Sequence, residues 1–328
     1  MGRRRLPERS GLTLFEADQP ESLRRLRVVE DLFALVAYRR LAQPRLILAQ
    51  ARDAARTTAL IDSALRIRER IAPSPKGRRG CSFRVVARVS GRQPFQRRDL
   101  KRAVELGVLE RSDRRWRLTD QQDGAIEFWV TLLQSELLLG LRLSDRHLRH
   151  RPYQVVHRPA ALRPAVGAAL AWLSEPCAED IVMDPLCGGA TILIERAHLG
   201  RYKLLLGADI SFDAVCAART NLGARHKPWQ LARWDAGALP LRDGCIDKIV
   251  TNLPWGKKLG SAEQNRRLYP HLLTEFRRVV KPDGLIVILS GESRLMAQLT
   301  REMNFRRQRT LPVQILGARA TVYVLQPC

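Results

Sequence analysis

The chain of 328 residues is short of acidic residues, of paired cysteines and of long apolar segments. Asp and Glu total 33 against 57 Lys and Arg, which leaves a formal net charge of +24. Such an excess favours a polyanionic partner, with nucleic acid ahead of an anionic membrane. The alternative is that the arginines reflect a compositional bias and form only a solvated surface.

The 6 cysteines are scattered, with no Cys-x-x-Cys pair and no histidine at ligand spacing. This pattern predicts neither a metal site nor a disulfide framework, and it fits a reducing cytoplasm. No apolar run approaches the ~18 residues of a membrane span, and no apolar signal segment stands at the start. We therefore expect a soluble, cytoplasmic protein of roughly two domains, without membrane association.

Two helices followed by a region of strands and one helix are predicted for the first half of the chain. Helical periodicity runs over residues 22–40 and 51–70, with a short strand over 46–48 and a basic loop over 72–80. The region beyond residue 80 has the pattern of a small α+β domain. Its strands are predicted over residues 83–89, 116–118, 126–133 and 137–143, and its helix over residues 97–106.

Basic residues interleave with aromatic residues in this α+β region. Guanidinium groups bind phosphate and aromatic rings stack on bases, so the pattern favours contact with RNA or DNA over a plain solvated face. Two lysines of the second half are added as candidate phosphate contacts, with a solvated loop as their alternative. The predicted nucleic-acid contacts are Arg84, Arg88, Arg97, Arg98, Arg102, Arg115, Lys257 and Lys258.

The second half of the chain alternates strand and helix over residues 181–303 and ends in two strands around Gly317. An Ala-rich helix over residues 161–173 precedes this pattern. The order predicts a doubly wound α/β sheet with right-handed crossovers, closed by an antiparallel hairpin. Ligands of such sheets bind at the carboxyl ends of the strands.

Three acidic residues stand at these predicted strand ends. Residues 184–191 read Asp-Pro-Leu-Cys-Gly-Gly-Ala-Thr between the first strand and its helix, where glycines let a nucleoside cofactor approach the backbone. Asp209 ends the next strand, where an acid binds ribose hydroxyls. Asp235 ends the third strand, where a carboxylate accepts from an adenine amino group. The glycine pair alone is a weak signal, and the spacing of the acids strengthens it.

A second motif, Thr-Asn-Leu-Pro-Trp-Gly, occupies residues 251–256 directly after an apolar strand. An amide oxygen, a backbone carbonyl and an aromatic face suit a planar base that bears an exocyclic amine. The alternative for Trp255 is a core aromatic side chain without a functional role.

The order of these motifs resembles the methyltransferases that use S-adenosylmethionine, and most of all the THUMP-domain RNA guanine-N2 methyltransferases. The resemblance covers nearly the whole chain, and it is most specific at residues 184–188, 207–209 and 252–256. The resemblance implies a fold of four parts. These are a truncated-looking ferredoxin-like segment over 1–72, a THUMP RNA-binding domain over 73–145, a linker over 146–160 and a Rossmann-like class I methyltransferase domain over 161–328.

The resemblance also implies that a guanosine of tRNA is methylated at its exocyclic N2 amine with S-adenosylmethionine as the cofactor. We expect Asn252 and a backbone carbonyl in the Pro254 region to accept the two N–H bonds of the amine, while Trp255 stacks on the base. The implied catalytic residues are Asn252, Pro254 and Trp255. The implied cofactor residues are Asp184, Pro185, Cys187, Gly188, Gly189, Thr191, Asp209, Ile210, Asp235, Ala236 and Asn252.

Two positions depart from the family pattern. The turn usually reads Cys-Gly-Ser-Gly-Thr and here reads Cys-Gly-Gly-Ala-Thr; we expect the cofactor still to fit, with its affinity open to change. Leu253 stands where many amino-methyltransferases have a second proline, and its backbone carbonyl is retained.

Other functions share parts of this pattern. A ribosomal RNA guanine-N2 or a DNA adenine-N6 methyltransferase uses the same chemistry, and the THUMP-like first half favours RNA over DNA. Another hypothesis is a non-catalytic RNA-binding protein that kept the fold. Only the altered turn supports it. An NAD-dependent oxidoreductase is disfavoured because the turn lacks the G-x-G-x-x-G spacing. The sequence leaves a protein partner undetermined.

Overall fold

The chain divides into two compact units, Met1–Leu148 and Arg149–Cys328, which we call unit 1 and unit 2. This computed structural model describes residues 3–5, 11–41, 43–71, 81–121, 125–159, 161–256 and 261–327. The predicted basic loop over 72–80 and the candidate phosphate contacts Lys257 and Lys258 lie outside the described residues.

Unit 1 is an α+β unit with one mixed sheet. Its strands are β1 Arg3–Arg5, β2 Thr13–Phe15, β3 Phe33–Arg40, β4 Cys81–Ser90, β5 Trp116–Leu118, β6 Ile126–Leu133 and β7 Glu136–Arg142, and its helices are α1 Ile47–Thr57, α2 Ile61–Ile71 and α3 Arg97–Leu109. The five-stranded sheet has the order β3-β7-β6-β4-β5, and β1 pairs separately with β2. The three helices bury apolar faces against this sheet in one core, so strands from both predicted N-terminal segments share a sheet.

The helix predicted over residues 22–40 is wrong, because its second half is strand β3. β3 pairs antiparallel with β7 and changes register between Leu35 and Ala37. This irregularity leaves the consecutive residues Val36 and Ala37 both buried. A strand with two successive inward residues lacks the strict alternation by which strands are recognised in a sequence.

The next two predictions are also wrong. The strand predicted over residues 46–48 is where α1 begins, and the single helix predicted over 51–70 is two helices. The break falls at Thr58, which is extended and whose hydroxyl donates to the Val36 carbonyl at 2.6 Å. A Thr side chain that bonds to the backbone in this way competes with helix continuation.

Unit 2 has the predicted doubly wound sheet. Its strands are β8 Ile181–Asp184, β9 Leu204–Ala208, β10 Trp229–Ala232, β11 Ile246–Asn252, β12 Val280–Ser290, β13 Arg306–Ile315 and β14 Ala318–Gln326. Its helices are α4 Pro164–Leu173, α5 Thr191–Ala197, α6 Phe212–Leu222, α7 Ala262–Val279 and α8 Ser293–Glu302. The sheet order is β10-β9-β8-β11-β12-β14-β13, in which β14 runs antiparallel to both neighbours. The predicted C-terminal hairpin is therefore confirmed.

Helices cover both faces of this sheet, as the alternation of its strands requires. Val182, Leu205 and Val250 pack into a core with α4, α5 and α6. The residues that follow or precede them on each strand pack into a second core with α7 and α8; these are Met183, Leu206 and Ile249. A parallel sheet buried on both faces offers ligands only its strand ends.

The strand order of the sheet reverses between β8 and β11, and the carboxyl ends of these two strands lie side by side. The chain runs from β8 to β9 and β10 on one side, and from β11 to β12 on the other. Connections that leave in opposite directions open a crevice at this switch point. Both predicted ligand motifs follow these two strands.

The turn between β8 and α5 contains two residues in the left-handed region. Gly188 has φ 52° and Ala190 has φ 63°. Ala190 is also the residue before the first turn of α5, and it is fully buried. A left-handed conformation costs a non-glycine L residue roughly 1–2 kcal/mol. The departure from the family pattern at position 190 therefore carries a backbone cost that glycine does not have.

We predict that Ala190→Gly leaves the free energy of unfolding within about 0.5 kcal/mol of the wild-type value. Relief of the left-handed strain offsets the lost methyl burial and the added freedom of the unfolded chain. Ala218→Gly, at an equally buried site inside α6, has no strain to relieve and costs at least about 1 kcal/mol. Urea unfolding measures both, and equal losses contradict the account.

Candidate active site

The hydroxyl of Thr251 on β11 donates to the Asp184 carboxylate at the end of β8, over 2.8 Å. Asp184 Oδ1 also accepts from the Leu186 backbone N–H at 3.2 Å. The Cys187 N–H donates to the Ala208 carbonyl of β9 at 2.8 Å. The turn after β8 is thus bonded to both neighbouring strands, which fixes its position over the crevice.

Burial sets the protonation of Asp184. The side chain is 2% exposed, and its burial raises the pKa of the carboxyl to about 7. The Thr251 and Leu186 hydrogen bonds act in the opposite direction, and the Asp209 charge adds to the rise. At neutral pH the carboxyl is divided between its two forms, so a cationic ligand nearby would favour the carboxylate.

The predicted acid at the end of β9 is bonded to the glycine turn. Asp209 Oδ2 accepts from the Gly188 N–H and Oδ1 from the Ser211 N–H, both at 3.0 Å. A carboxylate has about four acceptor sites, so lone pairs remain for hydroxyls of a ligand. Ile210 follows directly and is 61% exposed, which leaves an apolar surface beside this carboxylate.

The acid predicted at the end of β10 lies three residues beyond that strand. Asp235 is exposed, and its Oδ1 accepts from the Gly237 N–H at 2.8 Å. The adjacent Ala236 is 3% exposed and packs into the core. Asp184, Asp209 and Asp235 therefore follow adjacent strands of the sheet, as the sequence predicts.

Three other predicted cofactor residues are buried, namely Pro185, Cys187 and Thr191. Burial raises the pKa of the Cys187 thiol well above its usual range, with the charges of Asp184 and Asp209 adding to it. A thiol that stays protonated is not a nucleophile. Gly207 lies beneath it, and a Cβ there would stand 3.3 Å from the Cys187 sulfur and 2.6 Å from the Leu231 side chain. These side chains shape the turn.

The Asn252 and Trp255 side chains of the second motif are bonded to each other. The indole Nε1–H of Trp255 donates to Asn252 Oδ1 at 3.0 Å, and both residues are half-buried. A Cβ on Gly291 would lie 2.9 Å from Trp255 Cγ, so the indole packs directly on the backbone that follows β12. The indole plane and the amide oxygen therefore have fixed positions relative to each other.

The carbonyl of Pro254 is already fully engaged. It accepts from the Tyr269 hydroxyl at 2.6 Å and from Asn265 Nδ2 at 3.0 Å. A carbonyl oxygen has two lone pairs, so none is left for an amine of a substrate. The Pro254 carbonyl is therefore occupied in this structure, whereas the adjacent Leu253 carbonyl accepts no hydrogen bond within the described residues and belongs to a residue that is 0% exposed.

Asn221 of α6, which the sequence analysis does not single out, joins the predicted linker to the glycine turn. Its amide accepts from the Val156 N–H at 2.9 Å and donates to the Val156 carbonyl at 3.1 Å and to the Gly189 carbonyl at 3.0 Å. Tyr153 donates to Glu195 of α5 at 2.7 Å. The linker residues 153 and 156 are thus bonded to the helices that flank the turn.

Four further residues of the site carry only faint sequence signals. Gly291 follows a predicted strand, at the end nearest the motif. Asn265 and Tyr269 are four residues apart, on the apolar face of a predicted helix, where an amide is unusual. Thr251 has no signal beyond its place in the motif.

In unit 1, two predicted nucleic-acid contacts lie on the sheet face opposite the helical core. Arg84 is paired with Glu127, with 2.9 Å between the charged groups, and Arg88 stacks 4.4 Å above the Trp129 ring. Glu127 is 7% exposed and also accepts from the Trp129 indole at 3.0 Å. The Arg84 guanidinium therefore has a structural partner, whereas Arg88 is exposed.

A basic cavity of about 460 Å³ lies where α3 begins beside β4. Arg102, one turn along, stands 3.7 Å from Glu105, and Arg115 is exposed. The cavity brings two of the predicted contacts together with Lys101. Its lining residues are Val85, Val86, Ala87, Gln96, Arg97, Arg98 and Lys101.

Among the residues that the structure describes, no group of three His, Cys, Asp or Glu side chains is placed to hold a metal ion. Over these ranges, every helix is too short or too polar to cross a membrane.

Comparison with known proteins finds relatives that modify RNA. The human tRNA (guanine(6)-N(2))-methyltransferase THUMP3 is 32% identical over 228 residues, which are 64% of this chain and 44% of that protein. The tRNA (guanine(6)-N2)-methyltransferase of Thermus thermophilus is 28% identical over 77% of this chain and 75% of that protein. This chain thus spans less than half the length of the human relative.

The solved structures and the family models agree on the fold. The crystal structure of TrmN from Thermus thermophilus superposes with a TM-score of 0.75 over 96% of this chain and 89% of that chain, at 24% identity. The predicted Rossmann-like class I methyltransferase fold is confirmed. Residues 151–320 match the UPF0020 model, described as "RMKL-like, methyltransferase domain". The chain belongs to this methyltransferase domain family.

Proposed function

We propose that the protein transfers a methyl group from S-adenosylmethionine to the exocyclic N2 amine of a guanosine in tRNA. The observation that carries the proposal is the Thr251–Asp184 hydrogen bond, since it places the glycine turn beside the Asn-Leu-Pro-Trp motif. A nucleoside-binding turn and an amine-binding motif share one crevice. The names of the human and Thermus relatives favour guanosine and tRNA.

The acids of the crevice have the chemistry that this cofactor requires. Asp209 retains lone pairs for ribose hydroxyls, and Ile210 provides an apolar surface for an adenine ring. Asp235 is exposed, with lone pairs for an adenine amino group. When bound, S-adenosylmethionine would supply an electrophilic sulfonium methyl group, and its positive charge would favour the carboxylate form of Asp184, whose pKa burial raises to about 7.

Asn252 and Leu253 form the proposed acceptor pair. A guanine amine is a weak nucleophile because its lone pair is delocalised into the ring. The Asn252 oxygen accepts one bond from Trp255 and keeps one lone pair. The Leu253 carbonyl accepts no bond within the described residues, and because Leu253 is 0% exposed it becomes the second acceptor only when the arriving base displaces what covers it. Two acceptors for the two N–H bonds favour the pyramidal nitrogen that develops during attack.

Trp255 serves as the stacking surface for the base. The bond to Asn252 sets the edge of the indole, and Gly291 supports one side of it. A base must leave its stack or loop to reach this plane, and aromatic side chains hold such extruded bases.

Unit 1 is the proposed RNA-binding part, in the place where the resemblance puts a THUMP domain. Arg97, Arg98 and Lys101 surround the basic cavity and form its positive rim. Three cations around one cavity bind a phosphate group with its nucleotide better than dispersed charges do. Arg98 and Lys101 also lie 3.9 Å and 3.5 Å from the carboxylates of Asp99 and Glu105, but their side chains are 79% and 42% exposed. Arg84 is left out of this interface because its side chain is only 21% exposed and is paired with the buried Glu127.

We predict that Asn252→Ala lowers the rate of methyl transfer from labelled S-adenosylmethionine to tRNA at least about a hundredfold, because one of two acceptors is lost. Calorimetry should show cofactor binding retained. Asn252→Asp keeps a side-chain oxygen at this position and should retain more activity than the alanine variant. Full turnover by Asn252→Ala removes this residue from the mechanism.

We also predict that Arg98→Glu raises the KM for tRNA about tenfold and makes the salt dependence of binding less steep, because one phosphate contact is lost. The cofactor dissociation constant should not change. Arg66→Glu is the matched control, since Arg66 is an exposed arginine of α2 that is not part of the cavity. Equal effects of both substitutions would indicate only a general loss of positive charge.

A further inference from the structure

A buried polar cluster lies behind the Asn-Leu-Pro-Trp motif. The Tyr269 hydroxyl donates to the Pro254 carbonyl at 2.6 Å and lies 3.0 Å from Ser290 Oγ. Asn265 Nδ2 donates to the same carbonyl at 3.0 Å. Tyr269 and Ser290 are 0% exposed and Asn265 is 1% exposed. These three side chains, which we call the support cluster, belong to α7 and the end of β12.

The surroundings of the support cluster are apolar. Tyr269 packs with Leu272, Leu273 and Phe276 of α7 in the core that also contains Leu253. Polar groups in such a place are costly unless each one is bonded, and a phenylalanine would fill the same ring volume without that requirement. The hydroxyl of Tyr269 therefore acts through its bond to Pro254 and not through packing alone.

The hydrogens of the cluster point in one direction. The Pro254 carbonyl can only accept, so the single Tyr269 hydrogen is committed to it. Ser290 must then donate to Tyr269, and the Glu292 backbone N–H donates to Ser290 Oγ at 3.0 Å. Burial raises the pKa of Tyr269 to about 12, so the hydroxyl remains a donor across the assay range. Chains of aligned hydrogen bonds strengthen each other.

The peptide that carries the proposed second acceptor is held on both sides. The Leu253 N–H donates to the Leu289 carbonyl at 3.0 Å. The Pro254 ring fixes its own φ near −65°, and two bonds to its carbonyl fix the orientation of the next peptide plane. The Leu253 N–H and the Pro254 carbonyl are both held by hydrogen bonds, so the direction of the Leu253 carbonyl between them is determined.

The same segment supports the stacking surface. Gly291 follows Ser290 directly and lies under the Trp255 indole, where a Cβ would stand 2.9 Å from Cγ. Ser290 at the end of the hydrogen-bond chain and Gly291 under the indole are thus adjacent residues. A displacement of the cluster would move the carbonyl and the indole together.

We infer that Tyr269, Asn265 and Ser290 are positioning residues that fix the Leu253–Pro254 peptide and set the place of the Trp255 indole, and of the Asn252 oxygen bonded to it, for the substrate base. This inference rests on the proposed function of the motif. All three residues are 0 or 1% exposed, so neither ligand reaches their side chains. They act by closing the Pro254 carbonyl to the substrate and by fixing the peptide beside it.

The direct test is Tyr269→Phe, which keeps the ring and removes only the hydroxyl. We expect kcat to fall about tenfold, because a small error in acceptor position weakens transition-state contacts. The KM for tRNA and the cofactor dissociation constant should stay within about twofold, since neither ligand touches this residue.

Tyr323→Phe is the matched control. Tyr323 of β14 is 2% exposed, and its hydroxyl also donates to a backbone carbonyl, that of Ser293, at 2.9 Å. Each substitution removes a buried hydroxyl that donates to a backbone carbonyl, and Tyr269→Phe also removes the bond with Ser290. Only Tyr269 bonds to the motif. Equal effects of the two on kcat show a merely structural role and overturn the inference.

A second readout does not depend on activity. The protein is labelled with fluorotryptophan, and the Trp255 resonance among the 6 tryptophans is assigned with Trp255→Phe. We expect Tyr269→Phe to shift or broaden this resonance and Tyr323→Phe to leave it unchanged. An unshifted resonance overturns the inference. The two proposals fail separately. If the wild-type protein methylates no RNA but Tyr269→Phe still shifts the resonance, the proposed function is refuted and the positioning role stands.

Discussion

The hydrogen bond between Thr251 and Asp184 joins β11 to β8, the two strands between which the strand order of the unit 2 sheet reverses. The connections after β8 and β11 leave in opposite directions and open a crevice between the two strands. The hydrogen bond spans this crevice. Thr251 is fully buried and Asp184 nearly so, which makes the bond strong and its loss costly. It couples the glycine turn after β8 to the strand that precedes the Asn-Leu-Pro-Trp motif, and the rest of the candidate site is arranged around this pair.

Chemistry at the motif depends on which oxygens are open to a substrate. Two donors from α7 close the Pro254 carbonyl, and the Trp255 indole takes one lone pair of Asn252. One lone pair of Asn252 remains open, and the Leu253 carbonyl is unbonded within the described residues but buried. Fixed acceptors do not reorganise when charge develops on an amine, and this is the source of catalysis that we propose for the site.

The sequence predicts unit 2 well because its signals are local and consistent. Short apolar strands alternate with helices, and Asp184, Asp209 and Asn252 follow strands that turn out to be neighbours. Unit 1 is predicted less well near β3, where a bulge hides the strand pattern. The support cluster was not predicted because its contacts join α7 and β12 to a loop, and no local pattern shows that Tyr269 reaches Pro254. Long-range hydrogen bonds of this kind become visible only in the folded chain.

The central claim is that the amine of guanosine in tRNA receives the methyl group. The most direct measurement incubates the protein with deuterium-labelled S-adenosylmethionine and tRNA, ribosomal RNA or duplex DNA, followed by mass spectrometry of the nucleosides. The account predicts label in N2-methylguanosine from tRNA, and none when inosine, which lacks the amine, replaces the target guanosine. Label in N6-methyladenosine from DNA, or in no nucleoside at all, would contradict it.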